Sequence, residues 1–559
     1  MTDNLQPLDW TAPGPGQWAL DRSHVNRPAT PINQWVQSTG TARGTRRLFA
    51  EIGAPLDALD FRFVNGLVYS RVRPLIRPDS PAAKLPPLGA LRLATRLHPG
   101  MRRRRKLAEH TLESRMWREV LEQWRAPDGI RSECERRNLA IQETDRGSLD
   151  DEALVAHVHE VLNHALEFWE LHFWLHGFDL CPIGLLLVWG RDHGFSSDEL
   201  LPLLEGASPS TSEAERVLWR IKSSVARAGA HPRNLAEMRA VSPEIAADID
   251  AFLRIRGALI FSRYDIDGLC LAEAPEVLFA SIQAARDVDE RQAETAERVS
   301  TLTNRIRERI AESERDEFDQ ALTEARASMD LRDDNGPHTL EWPLGLTRLA
   351  LLEVGRRLAA RGWAHDATHA LELHRHELTI DLLSGRGPSA DELAGRETWR
   401  STVDVSAAPR IIGGPEPAPP LEVLPTPLAR IASFVQAVIA EAGLDGSENT
   451  SGLRGIGIGT GVYRGRVCRA DSPEQAIALL EDGDVLVVPC TTPAYNMILP
   501  LAGAIVTAEG GALSHAAILA RELGLPAVIG APRAMDDLPH GATVEVDADA
   551  GEVRVVTRT

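Results

Sequence analysis

The stretch TAEGGALSHAAILARELGLPAVIG, residues 507–530, sets two glycines before a Ser-His pair, then an alanine-rich run closed by Gly524 and Pro526. Gly510 and Gly511 allow a tight turn with exposed backbone amides. Ser514 is placed to cap a helix, which puts His515 in its first turn. Gly524 and Pro526 end that helix. Free amides and the positive end of the helix dipole then surround an imidazole. That is an anion site, and a phosphate fits it. The same field disfavours imidazolium and keeps a ring nitrogen lone pair available near neutral pH. A histidine that attacks a phosphoryl donor splits one transfer into two through a covalent intermediate. Taken alone, a histidine at a helix start is also a common capping or surface residue.

Around this stretch the pattern is strand-like. GRVCRA, DVLVVPC, GAIVTA, PAVIG and ATVEVDADAGEVRVV alternate with the helical pieces SPEQAIALL and HAAILARELG. Residues 451–559 therefore predict a compact α/β domain. Before it, LARIASFVQAVIAEAG predicts a short amphipathic helix, with a hinge, over 428–450. Residues 408–427 carry seven prolines and predict an extended linker. Twenty such residues reach about 60 Å at roughly 3.1 Å each.

Residues 1–407 predict a mainly α-helical domain with few strands, after an irregular first 40 residues rich in Pro and Trp. DDEALVAHVHEVLNHALEFWELHFWLH and SEAERVLWRIKSSVARA show the helical period. SSDELLPLLEG carries a helix-capping signal. EFDQALTEARASMDLRDDN and LGLTRLALLEVGRRLAARG continue the pattern.

The pattern TxxGGxxSHxAIxAR with GxPAV behind it resembles the phosphohistidine swivelling domain of enzymes related to phosphoenolpyruvate synthase and pyruvate phosphate dikinase. RGIGIGTGVYRGRV resembles that family's opening glycine-rich strand pair, and EDGDVLVVPCTTPAYNMILPLAGAIVTAEGG the approach to its catalytic loop. The resemblance implies that His515 accepts a phosphoryl group, with Thr507, Gly510, Gly511, Ser514 and Arg521 supporting the phosphate, and that the domain swings between two sites. More weakly, PGQWALDRSHVNRPATPI and the run from ARASMDLRDDN to HALELHRHEL resemble the substrate domain of rifampin phosphotransferase-like proteins. Those relatives carry an ATP-grasp domain. No P-loop, no glycine-rich phosphate hairpin with a following Lys and no carboxylate pair for two magnesium ions is read here. The expectation is that a separately encoded ATP-grasp protein, holding ATP and Mg2+, charges His515, as in split architectures such as phenylphosphate synthase. This chain itself is expected to bind no cofactor and no metal.

The 559 residues have a formal net charge of −19, and the sequence pI is about 5.4. This balance predicts a soluble, cytoplasmic protein and argues against nucleic-acid or anionic-membrane partners. No apolar run is read as approaching the roughly 20 residues that span a bilayer. The N-terminus has neither the basic start nor the apolar core of a signal peptide. Five scattered cysteines form no CxxC pair or zinc pattern, which suits reduced thiols.

Other constellations are less specific. His157, His159, His164, His172 and His176 lie close together among aromatic residues. They read as a core stripe, a pocket wall for an aromatic or apolar acceptor, or, least of all, a metal site. Arg102 to Lys106 form a basic run, read as a solvated helix face, a dock for an acidic partner, or, last, a nucleic-acid contact. Arg326 and Arg332 could meet a transferred phosphate or make surface salt bridges. His24 and the 157–176 histidines are candidates for the base. The function predicted is phosphoryl transfer through His515 to a small-molecule hydroxyl held by the helical domain. The alternative is a non-catalytic phosphocarrier whose helical part binds a protein.

Overall fold

The computed structural model describes residues 8–21, 27–80, 83–441, 452–471, 473–491, 495 and 498–557. The fold is mainly helical, followed by a C-terminal α/β domain. Its internal contacts define two units. One comprises Met1–Gly177, Tyr264–Asp267 and His338–Ala432; the other Phe178–Arg263, Gly268–Pro337 and Ser433–Thr559. The helical span predicted over 1–407 is thus shared between units, because the middle helices build a core with the C-terminal sheet.

The first unit holds a four-stranded antiparallel sheet that the helical reading of this region overlooked. Its strands are β1 (Gln17–Leu20), β2 (Leu56–Val64), β3 (Leu67–Pro74) and β4 (Ile411–Gly413), in the order β2-β3-β1-β4. The β2–β3 hairpin turns at Asn65 and Gly66, both at positive φ (49° and 77°). An Asn-Gly pair between alternating apolar residues is the strongest short-range hairpin signal. The predicted irregular start likewise contains β1 and the beginning of the helix Pro31–Ile52.

The Pro-rich stretch is extended but fastened. Its segment β4 pairs with β1, Gln17 opposite Gly413. The Tyr69 hydroxyl donates to the Pro409 carbonyl at 2.8 Å. The buried Arg71 guanidinium grips Glu416 through two bonds, at 2.6 and 2.8 Å. The chain then enters the helix Thr426–Glu441; the rest of the predicted hinge, 442–450, lies outside the described residues.

The longest helix, Asp151–Asp192, runs 42 residues and contains Pro182. Contrary to the sequence expectation, it is long and apolar enough to cross a membrane, with a window of mean hydropathy 1.5. However, 78% of that window is buried inside the fold, the pattern of a core helix.

In the second unit, seven strands form one sheet in the order β11-β10-β6-β7-β8-β9-β5. They are β5 (Ile456–Ile458), β6 (Val462–Arg469), β7 (Val485–Val488), β8 (Ala504–Thr507), β9 (Ala527–Ile529), β10 (Thr543–Asp547) and β11 (Glu552–Thr557). Strands β6 to β9 run parallel. Both faces of these central strands are covered, so they read as continuous apolar runs. Val485 and Val487 face a core with Val544, Val546 and Leu538. Leu486 and Val488 face a core shared with Leu218, Ile221, Ile249 and Phe252 of the helices Pro209–Arg227 and Pro243–Arg256.

Candidate phosphoryl-transfer site

Parallel strands β7 and β8 are neighbours, with Val488 opposite Thr507, so the loops leaving their carboxyl ends share one edge of the sheet. In parallel α/β sheets that edge is where ligands are bound. After β8 the chain turns through Gly510, at φ 114°, a conformation open to glycine and strained for other residues. A Cβ there would lie 3.0 Å from Ser514 Oγ and 3.3 Å from Ile529 Cγ2. Ser514 is extended at φ −66°, ψ 159°, and its Oγ accepts the Ala517 amide, capping the helix His515–Leu523. The helix ends on Gly524 in the left-handed region at φ 66°. The Ser514 cap, the Gly510 turn and the Gly524 stop predicted for this stretch are present, whereas Gly511, expected to be exposed, is buried.

His515 is the first residue of that helix. Its Nδ1 lies 2.9 Å from Thr491 Oγ1, three residues beyond β7. Its Nε2 is covered and, among the described residues, meets no hydrogen-bond partner. The ring as a whole keeps part of its surface exposed while Nε2 is closed off. Burial pushes the imidazole pKa down to about 3, and no charged neighbour contributes. Removal from water is the cause of that downward shift. When Nδ1–H donates to the Thr491 hydroxyl, the lone pair sits on Nε2. A neutral imidazole nitrogen carrying a lone pair is chemically capable of nucleophilic attack once it is uncovered.

The supporting residues divide in role. The Thr507 hydroxyl donates to the Glu509 carbonyl at 2.8 Å and accepts from the Gly530 amide at 3.2 Å, so it braces the turn. Arg521 donates to the Ala512 carbonyl at 2.5 Å, fixing the loop from the helix side. Gly511 is buried, and its carbonyl accepts the Ser514 amide at 3.0 Å. Thr491 was not singled out in the sequence; it comes to the ring only through the β7–β8 pairing.

Arg332, on the helix Arg315–Gly336, donates to the Leu513 carbonyl at 3.2 Å, two residues before His515. Its Nη1 lies 3.7 Å from the buried Asp179 carboxylate. This places a guanidinium beside the histidine loop, where a phosphoryl oxygen would need one. Arg326, by contrast, bonds the carbonyls of Leu203 and Glu205 and braces a turn.

The five clustered histidines belong to the first unit. His164 bonds Asn138 Oδ1 at 2.8 Å, and burial pushes its pKa down to about 3. His159 bonds the Leu378 carbonyl at 2.8 Å. His157 is buried, with Nδ1 3.6 Å from Glu160. His172 Nδ1 lies 3.0 Å from Thr339 Oγ1, and its Nε2 lies 3.1 Å from His176 Nε2. Among the described residues no group of three His, Cys, Asp or Glu is arranged to hold a metal. Also in this unit, Trp35, His159, Arg375, His376, Leu378 and Thr379 line an open cavity of about 440 Å³. His24 lies outside the described residues.

Residues 480–551 match the model of the PEP-utilising enzyme mobile domain. That match lies within the C-terminal α/β domain. Three curated relatives extend the comparison. Over 101 residues the chain is 46% identical to phosphoenolpyruvate synthase of Aeropyrum pernix, which covers 18% of this chain and 12% of that protein. A phosphotransferase of Bacillus subtilis, YvkC, is 27% identical over 376 residues, 64% of this chain and 43% of its own length. Chondramide synthase cmdD of Chondromyces crocatus is 25% identical over 590 residues, 98% of this chain and 14% of its own length. The chain thus spans less than half the length of each.

Proposed function

We propose that this chain is a phosphotransferase component in which His515 Nε2 carries the phosphoryl group. The observation that supports it most is the buried Nε2, without a partner, on a ring whose Nδ1 is held by Thr491. In the first step the Nε2 lone pair attacks the donor phosphorus, the N–P bond forms, and the P–O bond to the leaving group breaks. In the second, an acceptor hydroxyl oxygen attacks phosphorus as its proton passes to a base; the N–P bond breaks and its electron pair returns to Nε2. Arg332 and the amides of the glycine turn offset charge on the phosphoryl oxygens. The donor is ATP-derived and delivered by a separately encoded ATP-binding protein with Mg2+; the acceptor is a small-molecule hydroxyl bound by the helical part. Nε2 is covered in the conformation described, so charging requires the ring to be uncovered, as a carrier that moves between sites demands.

The test is a chase. Chain charged with 32P-phosphoramidate and freed of reagent is offered a panel of aromatic and aliphatic alcohols. Loss of label to one alcohol class, faster than to water, supports the reading. Loss to water alone, at a rate no alcohol changes, overturns small-molecule transfer.

A further inference from the structure

Between Asp79 and Glu109 the sequence holds eight Lys or Arg and no acidic residue, in a chain of 80 acidic residues and net charge −19. The structure folds this run into the helices Leu88–Leu97 and Pro99–Ser114 on the first unit. Arg104 turns inward toward the Leu56 carbonyl, 3.4 Å away. Arg92, Arg96, Arg102, Arg103, Arg105 and Lys106 are exposed, and the second helix goes on to Glu109 and Glu113, with Arg105 3.6 Å from Glu109.

The first of these helices presents its apolar side to solvent. Thr95 is its one buried residue and anchors it, donating to the Val423 carbonyl at 2.7 Å. Leu93 and Leu97 stand one turn apart, about 160° round the helix from Thr95 at 100° per residue. They are 59% and 63% exposed, and Leu88 at the helix start is 46% exposed. Of the eleven large hydrophobic residues exposed among those described, four (Leu85, Leu88, Leu93 and Leu97) fall within these 13 residues.

We propose that this face is a peripheral docking site for an anionic lipid surface. Protein surfaces mix both signs of charge; a run stripped of every acid matches a uniform polyanion. Nucleic acid offers no layer for the outward leucines. An anionic bilayer offers both, phosphates for the arginines and the acyl boundary for Leu93 and Leu97. The net charge of −19, which argues against membranes from composition, acts weakly here: at physiological salt fields decay over about 8 Å, so the membrane senses the patch facing it. Juxtaposed Lys and Arg each raise binding about fivefold at an anionic leaflet.

The full chain is floated with vesicles of phosphatidylcholine, or of phosphatidylcholine with about 30% phosphatidylglycerol, at low and at about 0.5 M salt. Binding to the anionic vesicles alone, released by salt, is expected. Arg102→Gln with Arg103→Gln should weaken it about 25-fold, from about fivefold for each of two charges. Leu93→Ser with Leu97→Ser should weaken it several-fold at unchanged melting temperature, since both side chains are already in water. Absence of flotation with the anionic vesicles, or flotation untouched by either double variant, overturns the proposal and leaves the patch to an acidic protein surface.

Discussion

His515 combines two properties that oppose each other in free histidine: its Nε2 is out of water, and among the described residues that nitrogen has no hydrogen-bond partner. The first keeps it neutral, with a pKa near 3 against the ordinary 6.5. Below pH 6.5 an unfolded chain takes up a proton that the folded ring refuses, so the unfolded state binds more protons and stability falls as pH drops toward 3. His515→Asn removes that liability. The melting temperature of the variant should therefore fall less than that of the wild type between about pH 7 and pH 5. Equal slopes would contradict a neutral buried ring. Thr491→Val should lower the rate of His515 phosphorylation by about ten- to a hundredfold with the fold intact, because a misaimed ring loses its attack geometry. An unchanged rate would remove Thr491 from the site. Thr491 was illegible in the sequence: it lies 24 residues from His515, and only strand pairing reveals the contact. Ser514, Gly510 and Gly524 were legible because capping and positive φ are local demands with few residue solutions.

The elements show the same division between local and remote. The central strands of the C-terminal domain announce themselves as apolar runs because both faces are covered, and all of those read from sequence are present. The β2–β3 hairpin carried an equally local signal in Asn65-Gly66 and was passed over among helical periods. Strand β4 gave no such signal. Three residues, Ile411–Gly413, pair with a strand nearly 400 residues earlier, and prolines around them suggest a loose linker. Glu416→Gln would strand the buried Arg71 guanidinium and should cost about 2–3 kcal/mol, read as a lowered melting temperature. Limited proteolysis should spare 408–427 in the wild type and cut there sooner in Glu416→Gln. Early cutting of the wild type in that stretch would show the fastening to be weak. Gly510→Ala, strained at φ 114° and crowded by Ser514, should destabilise the mobile domain by about 1–3 kcal/mol, measured by chemical denaturation. A change below a few tenths would show the turn to be adaptable.

At the scale of the molecule, the mobile domain does not hang from a bare tether. One face of its sheet shares an apolar core with helices from the middle of the chain, Leu486 and Ile505 beside Leu218 and Ile249. Sequence could show that these helices are amphipathic, but not what they bury against, since the partners lie more than 200 residues away. The decisive experiment incubates the chain with 32P-labelled ATP, Mg2+ and a candidate for the ATP-binding partner proposed above, then maps the label by peptide mass spectrometry under alkaline conditions. The prediction is a base-stable, acid-labile phosphoryl group on His515 alone, absent in His515→Asn. Label on another residue, or acceptor phosphorylation undiminished in His515→Asn, would contradict the carrier mechanism.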